Sequence, residues 1–180
     1  PPEPIARMMQ SSAAPWFQVS PDQKSALLMH RAAMPSIEEI AVDAVEVAGL
    51  RIHPKTNGEA ASRFIDDLSL VNLQTLAQSA LLPSDVEWRI LRTRWSPDSK
   101  QLAFTNVRED GIDLWVLSLA KPELKLVAEG LNEALSKSFQ WVNENQLLVL
   151  KVLEGRGAAP VAGVPAGPVV EQSSGEVAAV

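Results

Sequence analysis

The residues able to do chemistry are few and scattered. His30 and His53 are the only histidines, 23 positions apart. A triad or a metal site needs an imidazole oriented by a carboxylate and aimed at a nucleophile or an ion. His30 ends an apolar strand-like run and His53 falls in what reads as a loop, so both are expected to be surface or loop histidines. Glu38–Glu39 and Asp66–Asp67 are adjacent carboxylates, but acid–base pairs must converge across a cleft, and neighbours on a strand point to opposite faces. Solvated charge or helix capping is the expectation for both pairs. Arg51, Asn57 and Arg63 lie close together in one stretch, where a guanidinium could pair bidentately with a carboxylate. The rival is an arginine that pins its own loop to backbone carbonyls. These three are the candidate binding residues. No Gly-x-Ser-x-Gly elbow and no Ser, Asp, His order of triad members occurs, so no catalytic, metal or cofactor residue is assigned.

Composition narrows the classes. The 180 residues are 46% hydrophobic and 21% charged, enough for one core and too balanced for a disordered chain. A net charge of −6 without a stripe of Lys and Arg excludes nucleic acid as a main partner. The absence of cysteine removes disulfides, Cys-ligated zinc, iron–sulfur clusters and thiol catalysis. No apolar run approaches the ~18 residues that span a bilayer, and no signal peptide is evident, so no membrane partner is expected. The chain begins at Pro1 without a Met, which leaves room for an upstream segment. A periplasmic, secreted or organellar location is favoured over a cytoplasmic one.

The elements that must position the candidates come from a repeat. Ser20-Pro21-Asp22-Gln23-Lys24 precedes Ala26–Met29, and Ser96-Pro97-Asp98-Ser99-Lys100 precedes Leu102–Phe104, in matching register. A third, degraded copy runs from Phe139 through Asn143-Glu144-Asn145 into Leu147–Leu150. Pro presets φ near −65° at the first central position of a turn, and Asp can accept from the amides that follow. Each copy therefore reads as strand, tight turn, strand. After the second come Leu102–Val107, the hairpin signal Asp110-Gly111, Leu114–Leu117 and Leu124–Val127. With Trp88–Trp95 in front, these make one four-stranded antiparallel sheet of about 40 residues, the size of a β-propeller blade. Leu114–Leu117 is apolar on both faces, as a sheet between two neighbours requires. Trp88, Trp95, Trp115 and Trp141 fall at blade spacing and are expected to pack between blades rather than bind sugars or peptides.

The fold expected is all-β, a partial β-propeller of two blades and the start of a third, spanning residues 1–155. An insertion at about 35–65 interrupts the first blade. Ser36-Ile37-Glu38-Glu39 fits a capping box and predicts a short helix from Ile37 to about Asp43. Ala48–Arg63 reads as loop, and Leu68–Leu73 and Ser79–Leu82 as the third and fourth strands of the first blade. Residues 156–180, rich in Pro and Gly, read as a loop or linker. Closed propellers need roughly 4 to 8 blades, so the ring is not expected to close from these residues alone.

The order of segments resembles the N-terminal propeller region of glutamyl endopeptidase-like serine peptidases, a branch of the prolyl oligopeptidase family. The residues that carry it are Pro1-Pro2-Glu3, the first Ser-Pro-Asp hairpin, Leu28-Met29-His30-Arg31 with Met34–Ile40, and Ala48–Gly58. They continue with Trp95–Asp98, Leu131–Leu135, Arg156-Gly157, Gly167-Pro168 and Glu171–Gly175. The hairpin is shared by many propellers, whereas the Gly49–Gly58 stretch is far more specific. Relatives tend to carry an aromatic-rich stretch where this chain has Phe64–Leu68. The resemblance implies a parent serine endopeptidase whose C-terminal α/β-hydrolase domain, absent here, is the propeller's partner and hydrolyses peptide substrates, after Glu. The propeller itself would be non-catalytic and gate access, and Arg51, Asn57 and Arg63 would be substrate-binding. The alternatives are a TolB- or WD-repeat-like scaffold that binds protein or peptide without catalysis, and a decayed gene product.

Overall fold

The computed structural model describes residues 2–3, 13–32, 34–35, 37–42, 44–60, 63–135, 137–155 and 157. Among the described residues the elements run β1 Trp16–Val19, β2 Ser25–His30, the short helix α1 Ile37–Ile40, β3 Val45–Val47, β4 Leu50–His53, β5 Gly58–Glu59 and β6 Asp67–Asn72. There follow β7 Gln78–Ala80, β8 Ile90–Trp95, β9 Gln101–Val107, β10 Ile112–Ser118, β11 Glu123–Ala128, β12 Phe139–Asn143 and β13 Gln146–Val149. Strands β1-β2-β6-β7 form one antiparallel sheet and β8-β9-β10-β11 a second, while β12-β13 is a lone hairpin. These are the two expected blades and the opening of a third.

Each blade starts from the same turn chemistry. In the first, Ser20 Oγ donates to Asp22 Oδ1 at 2.6 Å and accepts from the amide of Ser25 at 3.1 Å, and Asp22 Oδ1 accepts from the amide of Lys24 at 3.2 Å. In the second, the equivalent bonds link Ser96 to Asp98 at 2.7 Å, Gln101 N to Ser96 at 2.9 Å and Lys100 N to Asp98 at 3.2 Å. Gln23 and Ser99, at the same place in the two turns, take φ of 60° and 62°. The turns also touch one another, because the amide of Asp22 donates to Ser99 Oγ at 3.0 Å. Gln101 Nε2 then reaches the carbonyl of Glu144, in the third turn, at 3.1 Å.

The second blade is buried on both faces. Leu102, Phe104 and Leu117 join Leu27 and Leu68 of the first blade in one core cluster. Ala103, Val107, Ile112, Leu114 and Val116 join Leu131 and Phe139 in another. Since side chains alternate along a strand, β9 and β10 feed one cluster with each face. Trp88 meets Phe104 and Trp115 edge-on, with centroids 5.6 and 5.7 Å apart, and Trp95 is buried in the same cluster. Trp141 packs on the other cluster and donates its indole N–H to the carbonyl of Arg94 at 3.2 Å. Trp88, Trp95, Trp115 and Trp141 are packing residues, although Trp88 precedes β8 instead of lying on it.

The insertion departs from expectation. Ala48–Arg63 is not a loop throughout: β3, β4 and β5 pair into a three-stranded antiparallel sheet, and His53 ends β4. Ala48 and Gly49, at φ of 50° and 82°, form a two-residue hairpin between Val47 and Leu50, the turn whose twist matches paired strands. Helix α1 ends at Ile40, short of the expected end, and Ser36 and Asp43 lie outside the described residues. The linker expected over 156–180 also lies outside them, apart from Gly157.

The small sheet docks on the second blade through Gly58. A Cβ there would fall 2.6 Å from Ile112 Cδ1, closer than carbon atoms can pack. Gly58→Ala is therefore expected to lower stability by about 1–3 kcal/mol, the usual cost of overpacking. Adding Ile112→Val, which deletes the clashing methyl, should recover part of that loss in urea unfolding; additive losses would refute the contact.

The turns yield a second expectation. Asp22 and Asp98 are held below the ordinary carboxylate value of 3.8, first by the Ser20 and Ser96 hydroxyls and then by the amides of Lys24 and Lys100. A depressed folded pKa contributes stability that is present above 3.8 and lost as pH falls through the folded value. Ser96→Ala should cost about 1–3 kcal/mol, because it strips a fully buried hydroxyl from two partners. Asp98→Asn should weaken the acid-side fall of the melting temperature, measured from pH 7 to about pH 3.

Candidate functional site

Three clefts flank the insertion. The first, about 420 Å³, is lined by Leu50 and Arg51 of the small sheet, Arg92 of β8, and Glu133 and Leu135. The second, about 400 Å³, is lined by His53, Lys55 and Thr56 on one side and by Arg89, Arg108 and Glu109 on the other. The third, about 200 Å³, lies among Pro35, Arg63, Asp66, Trp88 and Arg89. The first two exist because the β3–β5 sheet stands on the second blade instead of lying loose over it.

The candidate residues fall apart across these clefts. Arg51 is exposed on β4, opposite Glu46 in the ladder, and lines the first. Arg63 is exposed and lines the third. Asn57 is buried in the turn between β4 and β5 with φ of 60°; its amide donates to the carbonyl of His53 at 3.0 Å and its Nδ2 contacts the carbonyl of Lys55 at 3.4 Å. Asn tolerates that left-handed backbone better than most residues, so the turn itself accounts for the residue type.

The histidines are tied into the same scaffolding. His53 Nδ1 accepts from the amides of Lys55 and Thr56, both at 3.2 Å, closing the turn that leads to Asn57. His30 Nε2 lies 3.2 Å from Ser69 Oγ. Ser69 is buried within β6, whose backbone is spent on its ladder neighbours, so no amides are free to stabilise an oxyanion beside it. Among the described residues no group of His, Cys, Asp and Glu is placed to hold a metal ion, and no helix is long and apolar enough to cross a membrane.

Sequence reasoning passed over Glu133, Arg92 and Arg89. Glu133 is 3% exposed. Its amide donates to the carbonyl of Asn57 at 2.9 Å, its Oε1 accepts from Ser138 Oγ at 2.6 Å, and Arg92 Nε lies 3.5 Å from the same oxygen. Its Oε2 is buried without a partner. Burial raises the carboxyl above its ordinary 4.5, against the pull of Ser138 and Arg92. The only sequence signal was a glutamate set between Leu131 and Leu135.

The raised value carries a definite sign. The folded protein holds this proton more tightly than the unfolded chain, so the contribution is fully present below 4.5 and is lost as pH rises through the folded value. This opposes the effect of Asp22 and Asp98. Glu133→Gln keeps an acceptor for Ser138 and should melt no lower than the parent at pH 7, with the difference between the two shrinking on acidification. Glu133→Ala orphans the buried Ser138 hydroxyl and should cost about 1–3 kcal/mol.

No family model matches the chain. It is 30% identical over 189 aligned residues to a probable glutamyl endopeptidase, chloroplastic, of Oryza sativa subsp. japonica, covering 96% of this chain and 20% of that protein. To the protein of the same description from Arabidopsis thaliana it is 29% identical over 184 residues, covering 93% and 19%. Among solved structures, the β-propeller domain of the Trilobed protease from Pyrococcus furiosus superposes with a TM-score of 0.45 at 16% identity, over 79% of this chain and 36% of that one. An acylaminoacyl peptidase in complex with Z-Gly-Gly-Phe-chloromethyl ketone gives 0.42 at 16%, over 81% and 18%. The architecture rests on the strand order itself. The resemblance read from the residues is borne out: this partial propeller is similar along nearly its whole length to proteins called glutamyl endopeptidases, and spans about a fifth of the length of each.

Proposed function

We propose that this chain is the non-catalytic propeller portion of a serine peptidase of the prolyl oligopeptidase family. The parent would hydrolyse peptide bonds after glutamate in an α/β-hydrolase domain of the same polypeptide, and the propeller would gate access to it. The observation that carries the reading is the similarity to probable glutamyl endopeptidases over 96% of the chain. The chloroplastic designation of both relatives supports an organellar site of action. Arg51 is the candidate for substrate choice, because it is exposed, lines the first cleft and carries a guanidinium, a group that pairs with carboxylates. Arg63 would serve from the third cleft, and Asn57, buried in its turn, would act only by holding the β4–β5 connection in shape.

The test is hydrolysis by the parent protein of matched peptides with Glu or Gln before the scissile bond. A preference for Glu of tenfold or more in kcat/KM is expected, and Arg51→Gln should reduce it by about 1.5–3 kcal/mol in transition-state stabilisation, the worth of a charged hydrogen bond. A fluorophosphonate probe should label the parent and leave the 180-residue chain unlabelled. Labelling of this chain, or a parent without a reactive serine, would overturn the proposal.

A further inference from the structure

The second cleft holds a guanidinium, that of Arg89, which also borders the third cleft beside Glu39, Asp66 and Glu87 without making an ion pair with any of them. Arg89 is half-buried just ahead of β8, and its backbone is fixed on both sides: its amide donates to Asn106 Oδ1 at 2.8 Å and its carbonyl accepts from the amide of Val107 at 2.9 Å. The guanidinium lies over the Phe64 ring, 4.4 Å from the centroid, and its Nε is buried without an acceptor. No described carboxylate pairs with it. Arg108, in the same cleft, is by contrast spent on Asp113 at 2.6 Å and Asp110 at 3.1 Å.

A guanidinium stacked on an aromatic ring loses little freedom when its edge meets a ligand, and that edge matches a carboxylate. Lys55 lines the opposite wall, while Glu59 and Glu109 stand on the cleft as well. With Arg108 spent on its own aspartates, Lys55 and Arg89 stand against Glu59 and Glu109, so the cleft resists a polyanion, and what singles out one negative charge is the guanidinium of Arg89 with its unpartnered Nε. We infer that Arg89 and Lys55 form a receptor for a single peptide carboxylate in this cleft, separate from the Arg51 cleft. The inference rests on the reading of the chain as part of a peptide-handling protein, but it requires no catalysis.

The test uses fluorescence anisotropy on the 180-residue chain with labelled hexapeptides. One carries a central Glu and an amidated C-terminus, one a central Gln and a free C-terminal carboxylate, and one a central Gln with an amidated end. At least one of the two acidic peptides should bind ten times more tightly than the neutral one, and which of them does so tells a side-chain ligand from a chain terminus. Arg89→Gln should abolish the difference, Arg89→Lys should keep a minor part of it, and Lys55→Gln should reduce it several-fold. Equal binding of all three peptides by the unmodified chain overturns the inference without need of any variant. A preference that survives Arg89→Gln but is lost in Arg51→Gln also overturns it, by moving the receptor to the first cleft. Failure of the peptidase reading would appear separately, as absence of hydrolysis by the parent.

Discussion

Burial of both faces of the β8–β11 sheet is the constraint on which the remainder hangs. A strand can hide only alternate side chains against one neighbour, yet β9 and β10 are buried on both faces along most of their length. The free energy of burying those side chains, about 1.5–3 kcal/mol each, is available only when a sheet lies on either side. The first blade covers one face with Leu27 and Leu68, and the third hairpin covers the other with Phe139 and Trp141. The angular stacking of a propeller follows from this demand, and the contacts between successive turns hold the stack at its rim.

The clefts are a by-product of the same stacking. The β3–β5 sheet is too small to have a core of its own and borrows one by pressing Gly58 on Ile112. Its rim then faces Arg92, on β8, across the first cleft and Arg89, just ahead of β8, across the second. Arg92 reaches the buried Glu133 at 3.5 Å, whereas Arg89 pairs with no described carboxylate.

What was legible in the sequence was the chemistry that acts over a few residues. The Ser-Pro-Asp turns were readable because proline, the carboxylate and the hydroxyl complete their bonds within six positions, and the blade strands followed from them. The small sheet was missed because its hairpin places Ala48 in the left-handed region where glycine or asparagine is the expected marker, and because its strands are two to four residues long. Arg51, Asn57 and Arg63 were grouped by proximity along the chain, but strand pairing sends them to different surfaces. Arg89, Arg92 and Glu133 were invisible for the converse reason: they reach the insertion from segments tens of residues downstream, and nothing local marks them.

The bond from the amide of Glu133 to the carbonyl of Asn57 spans more than its two residues suggest. Stacked repeats ordinarily feel only their nearest neighbours, so that an end unit can fray while the others persist. Here an excursion from the first repeat crosses the second and grips the segment that leads into the third. Opening of the first repeat's excursion would therefore also release a contact of the segment that leads into the third, so the two ends are not independent in the way a simple row of repeats would be.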